Sequence, residues 1–337
     1  MDQFCGVTYE QLIQFLAGNG YSAGHALKAV TNYYRRRIPD FRSMANLPKP
    51  VRELLGREYQ TELFSPVKYE VSSDQSVKYL FGADEGKAFE TVFIPDGKRK
   101  TVCISTQSGC RMGCPFCLTG KYGFRGNLTA GEIIGQVMSI PSSREITHVV
   151  FMGMGEPLDN PGELLKACEI LTSSWGLAIS PANITVSTVG ITPAVTRFLR
   201  ESKCNLTLSL FSPFADERAG VVPAEKRYPA REIIEMLRGY PETGKRRFTV
   251  AYVMISDVND SEAHLEELIK LLSGTSIRVN ILPYHVIPGD SCKPSPPDRM
   301  QYFRQKLTVS GISASVRRSR GADISAACGL LAAGLKK

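Results

Sequence analysis

The stretch from Ser108 to Tyr122 reads S-G-C-R-M-G-C-P-F-C-L-T-G-K-Y and sets cysteines at 110, 114 and 117, a C-x3-C-x2-C spacing. A structural zinc closes a tetrahedron with four ligands, and neither Cys nor His supplies a fourth close by in the sequence. The nearest, Cys103, falls on the preceding strand. A cubane iron–sulfur cluster also usually takes four thiolates. Three thiolates leave one iron open to a ligand from outside the chain. The spacing therefore predicts a [4Fe-4S] cluster held by Cys110, Cys114 and Cys117, with a coordination site free for a substrate.

Further along, F-M-G-M-G-E-P at 151–157 follows a strand directly. Glycines such as Gly155 let backbone approach a ligand closely, and a buried Glu156 can receive an ammonium or orient the cysteine loop. Alone, such a turn is ordinary. Ser187-Thr188, Ser209-Leu210 and Asn280 also set small polar groups at strand ends. Each by itself is more often a cap or ladder filler; all of them on one rim make a ligand pocket.

Those strand ends belong to an alternation that fills most of the chain. Apolar, β-branched runs at 102–105, 147–152, 183–188, 205–210, 248–255, 278–282 and 314–317 alternate with amphipathic stretches. The stretches lie at 130–140, 163–173, 192–201, 230–238, 262–273 and 298–309. The alternation predicts an α/β fold of repeated βαβ units, as a complete or partial barrel or an open doubly wound sheet. In either, ligand sites gather at the C-terminal ends of the strands, where the three thiols fall. This core is expected over 99–337. Before it, 1–65 reads as a small helical module with helices at 9–17, 23–36 and 50–59, and 66–98 as a short β extension.

The composition, 43% hydrophobic and 22% charged, is ordinary for a globular chain. No apolar run approaches a membrane span and MDQFCGVTYE is no signal peptide, so a cytoplasmic, membrane-free protein is expected. Its nine cysteines then point to metal or redox chemistry before structural disulfides. The net charge of +8 is clumped at Arg35-Arg36-Arg37, Lys98-Arg99-Lys100, Lys245-Arg246-Arg247, Arg317-Arg318-Ser319-Arg320 and Lys336-Lys337. Any one clump reads as a solvated face; five together favour a polyanionic partner such as nucleic acid.

The three-cysteine spacing, with aromatic Phe116 just before the third thiol, is the mark of radical S-adenosylmethionine (SAM) enzymes. The whole chain resembles the RlmN/Cfr family of radical-SAM RNA adenosine methyltransferases. The resemblance runs through F-E-T-V-F-I-P at 89–95, T-V-C-I-S-T-Q-S-G-C at 101–110, the cysteine loop, and G-F-R-G-N-L-T from 123. It continues in M-G-M-G-E-P-L, I-T-V-S-T-V-G, V-N-I-L-P-Y and R-G-A-D-I-S-A-A-C-G-L near the end.

The resemblance implies a partial (β/α)6 radical-SAM barrel with a helix-hairpin-helix-like RNA-binding appendage, in which Arg35–Arg37 would contact phosphate. Two SAM molecules per turnover, an electron donor such as flavodoxin, and a monomeric enzyme are implied as well. Carried over by position, Gly155, Glu156, Ser187, Ser209, Leu210, Phe211 and Asn280 would contact SAM. Cys328 would carry a methyl group, Cys103 would release the product through a transient disulfide, and Glu90 would move a proton. Read without the resemblance, Cys328 is a small core residue on a terminal helix, Cys103 a buried strand residue, and Glu90 an exposed strand carboxylate. The chemistry asks for these types. Carbon 2 and carbon 8 of adenine are not nucleophilic, whereas a thiolate can take a methyl group from SAM. The expected activity is methylation of carbon 2 of an adenosine in large-subunit ribosomal RNA, with tRNA as a further substrate. Carbon 8 of that rRNA adenosine is the alternative, as is, in another class, a non-catalytic zinc-holding RNA-binding module. Three positions depart from the family pattern: Phe211 where His is usual, Ala322 where an acid is usual, and His285 where Asn is usual.

Overall fold

The computed structural model describes residues 1–82, 87–240 and 246–331. Residues 83–86 of the G-A-D-E-G break, Lys245 and Lys336-Lys337 lie outside the described residues. The chain opens with β1 (Asp2–Gln3) and three helices, α1 (Tyr9–Gly18), α2 (Ala23–Tyr34) and α3 (Lys49–Glu58). A strand β2 (Tyr59–Gln60) then pairs parallel to β1. Thr8 starts α1 through a reciprocal capping box with Gln11, and Leu12 and Leu16, one turn apart, bury its inner face. The three helices thus form where their patterns place them. Aromatics knot the module together: the Phe4 ring lies 5.0 Å from Tyr33 and 4.9 Å from Phe41, both edge-on.

Next come β3 (Lys68–Val71), β4 (Val77–Gly82), β5 (Ala88–Asp96) and β6 (Arg99–Cys103), each antiparallel to the one before. The β extension is therefore continuous with the core sheet. A small antiparallel pair, β7 (Gln107–Ser108) with β8 (Gly126–Asn127), brackets the short helix α4 (Leu118–Tyr122). Then α5 (Ala130–Met138) leads to β9 (His148–Phe151), α6 (Pro161–Thr172) to β10 (Ile184–Thr188), and α7 (Thr192–Glu201) to β11 (Asn205–Ser209). Helices α8 (Ala215–Val221) and α9 (Ala230–Arg238) precede β12 (Phe248–Met254); α10 (Glu262–Leu272) precedes β13 (Arg278–Pro283), and α11 (Pro297–Val309) precedes β14 (Ala314–Val316). All the expected helices and strands of the core are present, and α4 and α8, too short for a periodic signal, are additional.

The order β14-β13-β12-β11-β10-β9-β6-β5-β4-β3 makes one ten-stranded sheet, parallel from β6 to β14 and antiparallel from β6 to β3. Among the described residues its edges, β14 and β3, do not pair with each other. This is the partial radical-SAM barrel, with β14 added to the six strands β6 and β9–β13. Alternation sorts the side chains. Val149, Phe151, Val186, Leu206, Leu208 and Val250 are at most 1% exposed and form the helix-facing core. The other face, the lumen, carries the small polar groups. After β14 the chain does not leave as a helix: residues 317–331 run back as a strap toward the antiparallel edge, where Gly321 N–H donates to Asp74 (2.9 Å).

Candidate active site

The cysteine loop is seated by buried polar bonds before any thiol is considered. Gln107, fully buried, donates to Asn127 (2.9 Å) and Asp159 (2.8 Å) and accepts the Glu156 N–H (2.9 Å). Gly109 has φ +73, and a Cβ there would lie 1.6 Å from the Gly123 carbonyl oxygen, so only glycine fits. At Gly155, φ +94, a Cβ would stand 2.5 Å from Gln107 Cβ. That close approach ties the glycine turn after β9 to the loop after β6.

Burial pushes the Cys110 and Cys114 thiols up to about 12, and Cys117 is close enough to raise both further. The three thiols therefore lie within electrostatic reach of one another. Cys114 belongs to an apolar shell with Phe211, Val222, Ile255 and Tyr284, and Met112, Phe116 and Cys117 pack against it. Phe116 and Phe211 stack at 5.1 Å and 22°. Phe211 thus uses the position where the family has His to cover the loop with an apolar face. Among the described residues no three His, Cys, Asp or Glu side chains converge on a single ion. A cluster takes its thiolates on separate irons, so its ligands flank it, and the soft all-sulfur donor set in a dry shell fits that group. Binding it would strip the high-pKa thiols of their protons. Cys292 was not apparent from sequence. It packs at the edge of the same shell, and its N–H bonds to Asp290 (3.0 Å).

The register puts the expected SAM contacts together. Ser187 opposes Thr207, and Ser209 opposes Ala251, which opposes Asn280, all on the lumen face. The Ser187 and Ser209 hydroxyls lie 3.3 Å apart, and Asn280 accepts from Ser315 (2.9 Å). Glu156 is 4% exposed, and its oxygens accept the Leu158 (3.0 Å) and Val189 (2.9 Å) N–H groups. Burial outweighs those donors and pushes its carboxyl up to about 7. Its first role is therefore to pin β9's turn to the end of β10, leaving Gly155 backbone facing the pocket.

Two residues that sequence reading missed hold this rim. Arg218 is 1% exposed; it donates to the carbonyls of Leu210 (2.8 Å), Ser209 (2.9 Å) and Val189 (2.6 Å) and pairs with buried Glu225. Asn259, fully buried, donates to the carbonyls of Phe211 (2.7 Å) and Val253 (2.8 Å), fixing Phe211 at φ +67. Neither sits in a recognisable pattern; only the burial of a lone Arg and a lone Asn marks them.

On the antiparallel side, Cys103 opposes Val92, which opposes Lys78, and Glu90 lies two residues along the same face. The expectation of an exposed Glu90 is corrected: it is 1% exposed, because the interior Lys78 ammonium pairs with it at 3.5 Å and with Glu70 at 3.3 Å. Cys103 is buried as expected. Cys328 is neither helical nor core; it is exposed on a turn of the strap. Surrounding protein nevertheless raises its thiol pKa, Arg317 opposes that, and Cys117 adds to it. Burial raises the Cys103 thiol, and Cys328 raises it further. The fold therefore brings Cys103, Cys328 and Cys117 within electrostatic reach.

The strap is fastened at both ends. Asp323 accepts from Ser72 Oγ (2.5 Å) and the Ser73 N–H (2.9 Å), and His285 bonds to Ser319 (3.1 Å). Gly329 and Leu331 carbonyls accept from Leu118 N–H (2.8 Å) and Thr119 Oγ1 (3.0 Å) of α4. Ala322 is exposed beside Asp323. The basic clumps divide: Arg35 and Arg36 are exposed, whereas Arg37 is half-buried with φ +59 and Arg246 stacks on Phe198, Tyr240 and Phe248.

The model of the radical SAM superfamily matches residues 104–272, from the cysteine loop to the end of α10. The chain is 43% identical to "Probable dual-specificity RNA methyltransferase RlmN" of Parabacteroides distasonis, over 98% of this chain and 96% of that one. It is 42% identical to a protein of the same name from Thermus thermophilus, over 96% and 92%. The crystal structure of a radical SAM methyltransferase from Sphaerobacter thermophilus matches with a TM-score of 0.89 at 38% identity, over 98% and 99% of the two chains. The chain thus belongs to the radical SAM superfamily and, within it, to the RlmN family of methyltransferases, which work with a [4Fe-4S] cluster and SAM.

Proposed function

We propose that the chain methylates carbon 2 of an adenosine in large-subunit ribosomal RNA, and in tRNA, by way of a methyl group carried on Cys328. The reading is supported above all by Cys328 of the terminal strap, which lies within electrostatic reach of both Cys103 and Cys117, on a strap that bonds to α4 next to Cys117 through Gly329 (2.8 Å). The "dual-specificity RNA methyltransferase" names of its relatives support RNA of two kinds as substrate. A zinc-holding binding module is set aside by family membership.

In this reading Cys110, Cys114 and Cys117 hold the cluster, which when bound and reduced supplies the electron that opens SAM to radical chemistry. The lumen groups Gly155, Ser187, Ser209, Leu210, Phe211 and Asn280 shape the SAM pocket, with Glu156 and Arg218 keeping its rim closed. Cys328, reachable from solvent, takes the methyl group and presents it to the base. Glu90 receives a proton from the ring carbon, its charge balanced by Lys78 at 3.5 Å. Cys103 attacks the sulfur of Cys328, which by then is joined to the ring carbon through a methylene; the S–S bond forms as the bond from that sulfur to the methylene breaks, the electron pair and a proton pass to the methylene carbon, and the RNA leaves methylated. Exposed Arg35 and Arg36 give the helical module its phosphate contacts. Among the described residues no helix is long and apolar enough to cross a membrane.

The test is mass spectrometry of nucleosides from RNA of cells with and without the protein. 2-Methyladenosine that depends on the chain, in rRNA and tRNA, is expected. 8-Methyladenosine in its place would make carbon 8 the target.

A further inference from the structure

The lumen face of the antiparallel flank carries four ionisable side chains that lead away from Cys103. Register sets Glu70 opposite Lys78 and Lys78 opposite Val92, with Lys68, Leu80 and Glu90 in the neighbouring row. The Lys78 ammonium stands 3.5 Å from Glu90 and 3.3 Å from Glu70, and Glu70 in turn meets Lys68 at 2.5 Å. Exposure rises along the line: the side chains of Glu90, Lys78, Glu70 and Lys68 are 1%, 6%, 33% and 61% exposed. A cavity of about 20 Å³ lies among these four, with Tyr69 and Leu80 completing its lining, and has room for about one water molecule. The line thus begins at a buried carboxylate and ends at the outer strand β3.

Strand pairing alone does not ask for this arrangement. One cross-strand pair would suffice to hold β4 to β5, and desolvation of a buried ammonium commonly cancels what such a pair contributes. Here a second carboxylate and a water-sized space continue the line to solvent. Glu90, having taken a proton from the ring carbon, must become a carboxylate again before the next turnover, while RNA over the lumen blocks the way back past the base. We propose that Glu70, by way of a water in this cavity beside the Lys78 ammonium, carries that proton out to solvent. The inference rests on the proton-accepting part proposed for Glu90. The bonding pair stays with the ring as Glu90 becomes a carboxylic acid. The water then accepts the Glu90 proton while giving one of its own to Glu70, which releases it to bulk. One proton leaves per turnover and no electron moves. Transfer between two carboxyl groups is nearly even in energy, whereas the Lys78 ammonium, an acid about a million-fold weaker, keeps its proton. The hydrogen bond from Lys68 holds the Glu70 carboxyl below its ordinary value, so Glu70 passes the proton on.

The experiment follows the RNA–protein adduct through one turnover of the cluster-loaded protein, with an rRNA fragment, SAM and dithionite, quenched onto denaturing gels. Glu70→Ala should methylate Cys328 and form the adduct at the parent's rate, since both steps precede proton loss. Decay of the adduct should slow about tenfold, less than the roughly hundredfold or more of a group acting on the substrate directly. Added formate, small enough for the space the side chain leaves, should restore most of the decay rate. Glu70→Gln keeps the shape, and with it the fold, but takes no proton; it should be as slow, with or without formate. Decay within about twofold of the parent's in both variants overturns the proposal, being far below the scale of a proton-transfer group. So does slow decay of Glu70→Ala that formate leaves unchanged, which would make Glu70 only a prop for Lys78. Glu90→Gln with the parent's adduct decay strikes instead at the proton role of Glu90 itself, and the relay falls with it.

Discussion

The two flanks of the sheet hold their functional groups by different means. On the parallel flank, the rim of the proposed SAM pocket is tied through backbone: Arg218 and Asn259 gather the carbonyls of Val189, Ser209, Leu210 and Phe211, and Glu156 takes the N–H groups of Leu158 and Val189. Their own burial makes those ties costly to lose. On the antiparallel flank, Cys103 and Glu90 are fixed by strand register, but Cys328 arrives on a strap fastened by a few bonds at its ends. A cofactor pocket gains from being formed in advance, whereas a group that is handed to RNA must leave room for the RNA to enter. The contrast is between a rim that is locked and a carrier that is leashed.

The sharpest break in that comparison is chemical. In the proposed mechanism Cys328 accepts the methyl group and Cys103 frees the product, so Cys328→Ala should yield neither methylated protein nor an RNA adduct. Cys103→Ala keeps the early steps and loses the thiol that frees the product. It should trap RNA covalently, seen as a nuclease-sensitive shift on a denaturing gel that the double variant lacks. A well-folded, cluster-loaded Cys103→Ala protein that forms no adduct with its RNA removes Cys103 from the mechanism.

On the locked side, Arg218→Met leaves Glu225 as an uncompensated buried charge, and the expected loss of stability is about 3–5 kcal/mol. Chemical denaturation measures it. SAM affinity should fall with it, and restoring neutrality with Glu225→Gln should recover part of the stability but not the carbonyl ties. A loss confined to stability, with SAM binding intact, would separate Arg218 from the rim.

Glu156 sharpens the same side through pH. Its carboxyl is held up at about 7 against an ordinary 4.5, so the folded chain keeps that proton more tightly than the unfolded one. The resulting stabilisation is whole below the unfolded value, declines as pH rises and is gone above about 7, a swing of about 3 kcal/mol. Urea unfolding of the cluster-free protein at intervals across that window reads the slope. Glu156→Gln should flatten it; an unaltered slope assigns the swing to other groups.

The smallest effect belongs to the leash. Asp323→Asn weakens the acceptor of Ser72 and Ser73 without touching the sheet. Global unfolding should shift little, while mild oxidation should form the Cys103–Cys328 disulfide several-fold more slowly, followed by thiol alkylation and mass spectrometry. Equal rates would show that the contacts with α4 position Cys328 unaided.

Much of this architecture was legible in the chain. Strands and helices with a clear period stand where their patterns place them, and the three thiols at C-x3-C-x2-C lie within electrostatic reach of one another. Glu90 was misread because alternation on β5 separates two faces without showing that both are covered, Phe89 and Thr91 on one and Glu90 and Val92 on the other; Lys78 on the neighbouring strand makes the second habitable for a carboxylate. Cys328 was misread because A-A-C-G-L-L-A-A-G-L has the composition of a helix, yet Gly329 at φ +83 and the strap's bonds to α4 hold it as a turn.

Local chemistry, then, determined what the chain can bind: thiol count and spacing select a cluster, and glycine positions admit backbone to a ligand, because both depend on neighbours a few residues apart. Tertiary structure decided who meets whom. Arg218 under the rim, Phe211 on Phe116, and Cys328 within electrostatic reach of Cys103 join residues from distant segments. No local propensity encodes such pairings; they exist only once the parallel strands have stacked in order and the strap has crossed back to the far edge.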